Sequence, residues 1–146
     1  MKKSRILLFI LLAFFALRTW PGSAQPAGPP AIGGVETTLV GAVGKAGKTN
    51  GKGAVARFGG PTAMCLAANG TLYVAEGMNN TIRKITPAGV VTTLAGRFGE
   101  YGSTVGLATN GPGAAARFQG GGSLAVNAQG TVYLTDTGDH TVRVLN

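Results

Sequence analysis

Gly51-Lys52-Gly53-Ala54-Val55-Ala56-Arg57-Phe58 returns, shifted by 60 residues, as Gly111-Pro112-Gly113-Ala114-Ala115-Ala116-Arg117-Phe118. The match continues without a gap. Asn69-Gly70-Thr71-Leu72-Tyr73 answers to Gln129-Gly130-Thr131-Val132-Tyr133, and Thr81-Ile82-Arg83 to Thr141-Val142-Arg143. Over residues 51–86 against 111–146, 13 of 36 positions are identical. Composition alone does not produce that agreement, so the segment is a duplication. A repeat of this size points to a solenoid, a propeller or an array of small units.

Each copy divides into short strands. In the first, residues 62–67 are small and apolar, and Asn69-Gly70 is a tight-turn pair. Residues 72–76 form the next expected strand, with Gly77-Met78-Asn79-Asn80 as its turn. Residues 81–86 and 90–95 complete the unit around the Pro87-Ala88-Gly89 turn. Four antiparallel strands joined by tight turns make one up-and-down blade. Leu72-Tyr73-Val74-Ala75 is apolar at successive positions, which predicts burial on both faces. The second copy supplies strands at 123–127, 132–136 and 141–145. Glu36-Thr37-Thr38-Leu39-Val40-Gly41 resembles Val91-Thr92-Thr93-Leu94-Ala95-Gly96 and reads as a stray outer strand, 36–41. The expected units are thus blade one, about 51–96, and blade two, about 111–146, within a repeat region of 35–146.

Composition agrees. Gly accounts for 25 of 146 residues, more than twice the usual share, and disfavours a helical fold. The Gly has no three-residue period, which excludes collagen. With 45% hydrophobic and 12% charged residues, wholesale disorder is also excluded.

The N-terminus reads as an address. Lys2, Lys3 and Arg5 precede an apolar run from Ile6 to Leu17, followed by Pro21 and the small residues Gly22, Ser23 and Ala24. This is the order of a secretory signal peptide, assigned to residues 1–24, with a Pro/Gly/Ala linker at 25–34. The apolar run as a helix spans about 18 Å, short of the roughly 30 Å hydrocarbon core. Signal cleavage is therefore preferred over retention as an anchor. The expectation is an exported protein, periplasmic or secreted, with no stable membrane span after cleavage. The formal charge of +8 falls to +4 once the four basic residues of the signal leave. The remaining charge is scattered, so no nucleic-acid partner is expected. Cys65, the single cysteine, can form no internal disulfide and reads as a core residue.

These motifs resemble the NHL repeat family of β-propellers. The resemblance rests on the Gly-x-Gly-x-x-Ala-Arg-Phe entry and on Gly70-Thr71-Leu72-Tyr73-Val74-Ala75-Glu76. It rests also on Asn80-Thr81-Ile82-Arg83-Lys84-Ile85, on Val90-Val91-Thr92-Thr93-Leu94-Ala95-Gly96 and on the second-copy stretch from Tyr133 to Arg143. It covers residues from about 36 to 146. It implies an all-β fold of four-stranded antiparallel blades in an incomplete ring, and most often a binding platform. Similar propellers also include hydrolases and lyases with a metal on the central axis. The match has departures. Ala67 and Asn127 stand where an acidic residue is usual, Gly121 replaces the Pro61 of the first copy, and only His140 answers to the name-giving His, with Asn80 in its place in blade one.

Asp136, Asp139 and His140 form the one cluster with ligand-capable chemistry. The ordinary role of the two acids is turn and backbone hydrogen bonding, and no metal site is assigned. Arg57 and Arg117 recur on one pattern and are weak candidates for anionic ligand or partner contacts. The Gly-rich stretches, including Gly47-Lys48-Thr49, lack the strand–loop–helix context of a phosphate-binding loop. No catalytic residue and no cofactor is assigned. The expected function is a non-catalytic, exported scaffold binding a protein or glycan ligand. The alternatives are a lactonase- or lyase-like enzyme with an axial divalent metal, and a structural cell-envelope component. Propellers use about four to eight blades, so the expectation is either copies of the chain completing a ring or an incomplete gene product.

Overall fold

The computed structural model of this chain describes residues 34, 36–99 and 110–146. The expected signal peptide and, apart from Gly34, the linker lie outside the described residues. Residues 37–146 form one compact unit.

The unit is all-β. The strands are β1 (Gly51–Lys52), β2 (Pro61–Leu66), β3 (Leu72–Glu76), β4 (Thr81–Ile85), β5 (Val90–Gly96), β6 (Gly121–Val126), β7 (Val132–Asp136) and β8 (Thr141–Leu145). Two antiparallel sheets result, ordered β1-β5-β4-β3-β2 and β6-β7-β8. Single 3-10 turns, Gly53–Val55 and Gly113–Ala115, lie ahead of β2 and β6. The strands expected at 72–76, 132–136 and 141–145 are found with those bounds. The others shift at their ends by up to two residues, except that β1 had no expectation at all.

Tight turns explain the hairpins. The Asn69 side chain accepts the Thr71 amide at 3.0 Å, and Gly70 takes φ 80°. The β3–β4 and β7–β8 turns each place one residue in the left-handed region. These are Asn80 and His140, both at φ 53°. Short polar and imidazole side chains tolerate that conformation better than most.

One expected element is corrected. Residues 36–41 form no strand. Instead Val40 packs beside the cluster of Ala56, Val74, Ile85 and Val91, and the Gly41 amide donates to the Gly53 carbonyl at 3.1 Å. A strand needs a neighbouring edge, and the outer edge of β5 is already taken by β1.

Alternation assigns the two faces of each sheet. Ala75 and Ile82 project from blade one into a core with Phe118, Ala116 and Leu134. Tyr73 of the same face packs with Val132, alongside Cys65, Leu124 and Val126. This is a sheet-on-sheet contact between the blades. Gly121 makes it close: a Cβ there would meet the Ala75 Cβ at 2.9 Å. Its carbonyl accepts a bond from Thr62 Oγ1 at 2.8 Å. The loss of the first copy's proline at this position thus has a packing reason.

Candidate functional site

The chemistry-bearing side chains gather at the end of each blade where its middle hairpin turns. In blade one, Glu76 closes β3 and Arg83 lies on the neighbouring β4, across from Val74, and both are fully buried. Arg83 Nη1 sits 3.1 Å from Glu76 Oε2. The carboxylate also accepts the Gly59 amide at 2.8 Å, Asn79 Nδ2 at 3.1 Å and Thr81 Oγ1 at 2.6 Å. Arg83 donates further to the Arg57 carbonyl, the Thr49 carbonyl and Asn50 Oδ1. Its guanidinium lies over the Phe58 ring, 5.2 Å from the centroid. A buried ion pair is tolerable when most of its remaining lone pairs and protons are satisfied in this way; the buried Arg83 Nε has no hydrogen-bond partner. The network ties β3 and β4 to the connector that enters the blade.

Blade two rebuilds the pair with a shorter acid. Arg143 Nη1 is 3.2 Å from Asp136 Oδ2 and donates to the Arg117 carbonyl at 2.9 Å. The Gln119 amide donates to Asp136 Oδ1 at 2.9 Å, and Arg143 lies over Phe118. Burial pushes the Asp136 carboxyl above its ordinary range. The Gln119 hydrogen bond pulls it back, the Asp139 charge adds to the rise, and Arg143 opposes it.

The expected site residues therefore have distinct places. Asp136 is buried and faces Arg143. Asp139 is half-buried in the following turn, near enough to act on Asp136 electrostatically. His140 is exposed at the left-handed turn position. Among the described residues no three His, Cys, Asp or Glu side chains converge as a metal-holding group. Arg57 Nη1 donates to the carbonyls of Ala54, Val55 and Ala56, closing the 3-10 turn behind it. Arg117 does the same to Ala114 and Ala116. Cys65 packs against the interblade core, and burial pushes its thiol up, away from a reactive thiolate.

Sequence reasoning missed the Glu76–Arg83–Asn50 network. A signal was present. Glu76 and Asp136, Arg83 and Arg143, and Asn50 and Asn110 all stand at the 60-residue shift, the last pair one position ahead of the first matched glycine.

Three cavities flank these elements. One of about 470 Å³ lies over the open face of blade one, lined by Leu39, Val40, Met64, Leu72, Val74 and Ile85 among others. One of about 510 Å³ is formed by the connector Gly41–Ala46 with Phe58 and Pro61. The third, about 520 Å³, runs along β8 beside Asn110, Gly111 and Phe118.

No protein-family model matches the chain, and no curated protein matches it. Solved structures do, and they are propeller-like proteins. One, from Bacteroides thetaiotaomicron and provisionally named a phosphatase, is 26% identical with a TM-score of 0.59, over 73% of this chain and 26% of its own. An auxiliary nutrient binding protein from Bacteroides ovatus is 25% identical with a TM-score of 0.58, over 73% of this chain and 27% of its own. A Bacteroides thetaiotaomicron protein of unknown function has a TM-score of 0.64 at 20% identity, over 72% and 26%. The chain spans about a quarter of the length of these proteins. Among the described residues no helix is long and apolar enough to cross a membrane.

Proposed function

We propose that this chain is an exported NHL-type propeller module that acts as a non-catalytic binding scaffold for a protein or glycan ligand. The observation that carries this reading is a division of labour. Glu76, Arg83, Asp136 and Arg143 spend their charge on the fold itself. The connector 42–50, by contrast, is largely exposed on the rim, with Lys45 and Lys48 on it. Loops on a rigid sheet scaffold are where binding usually sits. The cavity formed by this connector is of a size that takes a small ligand or one or two sugar rings. The auxiliary nutrient binding proteins among the similar structures support a binding role.

The test is calorimetric titration of the purified chain with a panel of soluble oligosaccharides and peptides, beside assays for phosphoester and lactone hydrolysis with added divalent metal. Saturable binding that weakens on Lys45→Glu, without turnover, supports the scaffold. Metal-dependent turnover would replace it with the enzyme reading. Cell fractionation tests export: recovery of the chain only with the cytoplasm contradicts it.

A further inference from the structure

The 60-residue repeat separates the connector residues that hold the fold from those that do not. Thr49-Asn50 and Arg57-Phe58 return as Thr109-Asn110 and Arg117-Phe118. Lys45, Lys48 and Lys52 do not return: Val105, Ala108 and Pro112 stand in their places. All three lysines are exposed, and no acidic residue stands between Glu36 and Glu76. A charge that the second unit does without is not required by the repeat.

Of the three, Lys48 is held by the backbone on both sides. The Gly47 amide donates to the Phe58 carbonyl at 3.0 Å, and the Gly47 carbonyl accepts Asn79 Nδ2 at 2.9 Å. The Thr49 carbonyl accepts the Arg57 amide at 2.9 Å and Arg83 Nη2 at 3.2 Å. Asn79 and Arg83 both also donate to the Glu76 carboxylate. The buried ion pair is therefore bonded to the connector immediately before and immediately after Lys48. Gly47 allows this close seating, since a Cβ there would meet the Arg57 Cβ at 2.9 Å.

The chain from Lys52 back to Lys48 runs along β5 towards its end. Lys52 pairs with Val90, Asn50 Oδ1 accepts Thr93 Oγ1 at 3.2 Å, and Lys48 reaches the residue beyond the strand, Phe98. Lys48 Nζ lies 4.3 Å from the centroid of the Phe98 ring, and that ring is 45% exposed. Ring and ammonium come from different connectors, so their pairing fixes both side chains before any ligand arrives. Groups positioned in advance lose less entropy on binding. The result is a fixed cation beside a half-open aromatic ring.

We infer that Lys48 and Phe98 form a subsite for an anionic sugar unit, carboxylated or sulfated. Such a unit joins an acidic group to a rigid ring with an apolar C–H face. The ammonium takes the acidic group in a charge-assisted bond, and the open part of the Phe98 ring takes the C–H face. An acidic peptide fits less well, because its carboxylate sits on a flexible stem that must be ordered and brings no flat apolar face. The subsite names the ligand class of the binding scaffold proposed above and rests on that reading.

Calorimetric titration of the full chain tests it with four probes: oligogalacturonate, its methyl ester, a heparin-derived oligosaccharide and oligoglutamate. The expected result is saturable binding of at least one of the two anionic oligosaccharides, and which one binds separates carboxylate from sulfate. The methyl ester keeps the sugar ring without the charge and should bind about fivefold weaker than the acid, or weaker still. Lys48→Gln and Phe98→Ala, both at exposed sites, should each weaken binding about fivefold with unchanged circular dichroism. Lys52→Gln, at the far end of β5, should stay within about twofold. Failure of both anionic oligosaccharides to bind overturns the inference. So does oligoglutamate bound as tightly as either, which would point to an acidic protein partner. Equal losses from Lys48→Gln and Lys52→Gln overturn it too, because they mean diffuse charge in place of a subsite. The scaffold reading survives each of these results if another probe binds without turnover. It fails alone if an anionic sugar binds through Lys48 and Phe98 and is then cleaved.

Discussion

Blade one and blade two share one repeat and differ in what surrounds them. Glu76 and Arg83 are sealed by the entry connector on one side and by β5 on the other. Asp136 and Arg143 make the matching bonds to Gln119 and Arg117 of their connector and have no fourth strand beside them among the described residues, and Arg143 keeps 10% of its side chain exposed. Thr81 is buried and Thr141 exposed. The lesson is that burial in a repeat protein belongs to the neighbour as much as to the residue.

The strongest way to break this contrast is to remove one arginine at a time. Arg83→Met strands a buried carboxylate and should cost about 3–5 kcal/mol in urea denaturation. Arg143→Met strands an equally buried acid, but at the place of an arginine that already reaches solvent, and should cost less. Equal losses would show that the two environments are energetically alike. Phe118→Ala empties the interblade core and should cost about 3–5 kcal/mol, with a smaller loss for the half-buried Phe58→Ala. A blade contact that matters little to stability would reverse that order.

Gly121→Val probes the close approach of the sheets. Three added methyl-sized groups against Ala75 and Thr62 should cost about 1–3 kcal/mol by overpacking. The measurement is the denaturation midpoint, and an unchanged midpoint would mean that the blades can move apart freely.

A smaller effect is read from the pH dependence of stability. The Asp136 carboxyl is held above its ordinary range, so the folded chain binds its proton more readily than the unfolded chain does. Its contribution to stability is therefore greatest in acid. That contribution falls as pH rises from the ordinary carboxylate range through the folded value, and is level above it. Asp136→Asn should remove that slope from a stability–pH curve. A curve that keeps the slope would place it on another group. The smallest effect is expected for His140→Asn, which keeps a residue tolerant of the left-handed turn and copies Asn80. The change should stay within about 0.5 kcal/mol, and a large loss would reveal a role for the imidazole.

Much of the fold was legible. Successive apolar residues at Leu72–Ala75 and tight-turn pairs such as Asn69-Gly70 mark strands through local preference, which needs no distant partner. The candidate site was harder to read. Arg57 and Arg117 stood out as repeated cations, yet each closes its own turn. Arg83 drew no site reading, because nothing local says that a connector 26 residues away supplies its carbonyl partner. The strand pattern of residues 36–41 was read correctly as a pattern, and strand formation still failed for want of an edge.

The amino-acid sequence by itself determined the repeat, the strand positions and the alternation of faces, since these follow from side-chain type and spacing. Only the tertiary structure decided which charges are buried in pairs, which glycine lets two sheets touch, and which of two equivalent faces is covered. Those outcomes depend on contacts between residues distant along the chain, and a 60-residue repeat places the same side chain in two environments without changing its local sequence.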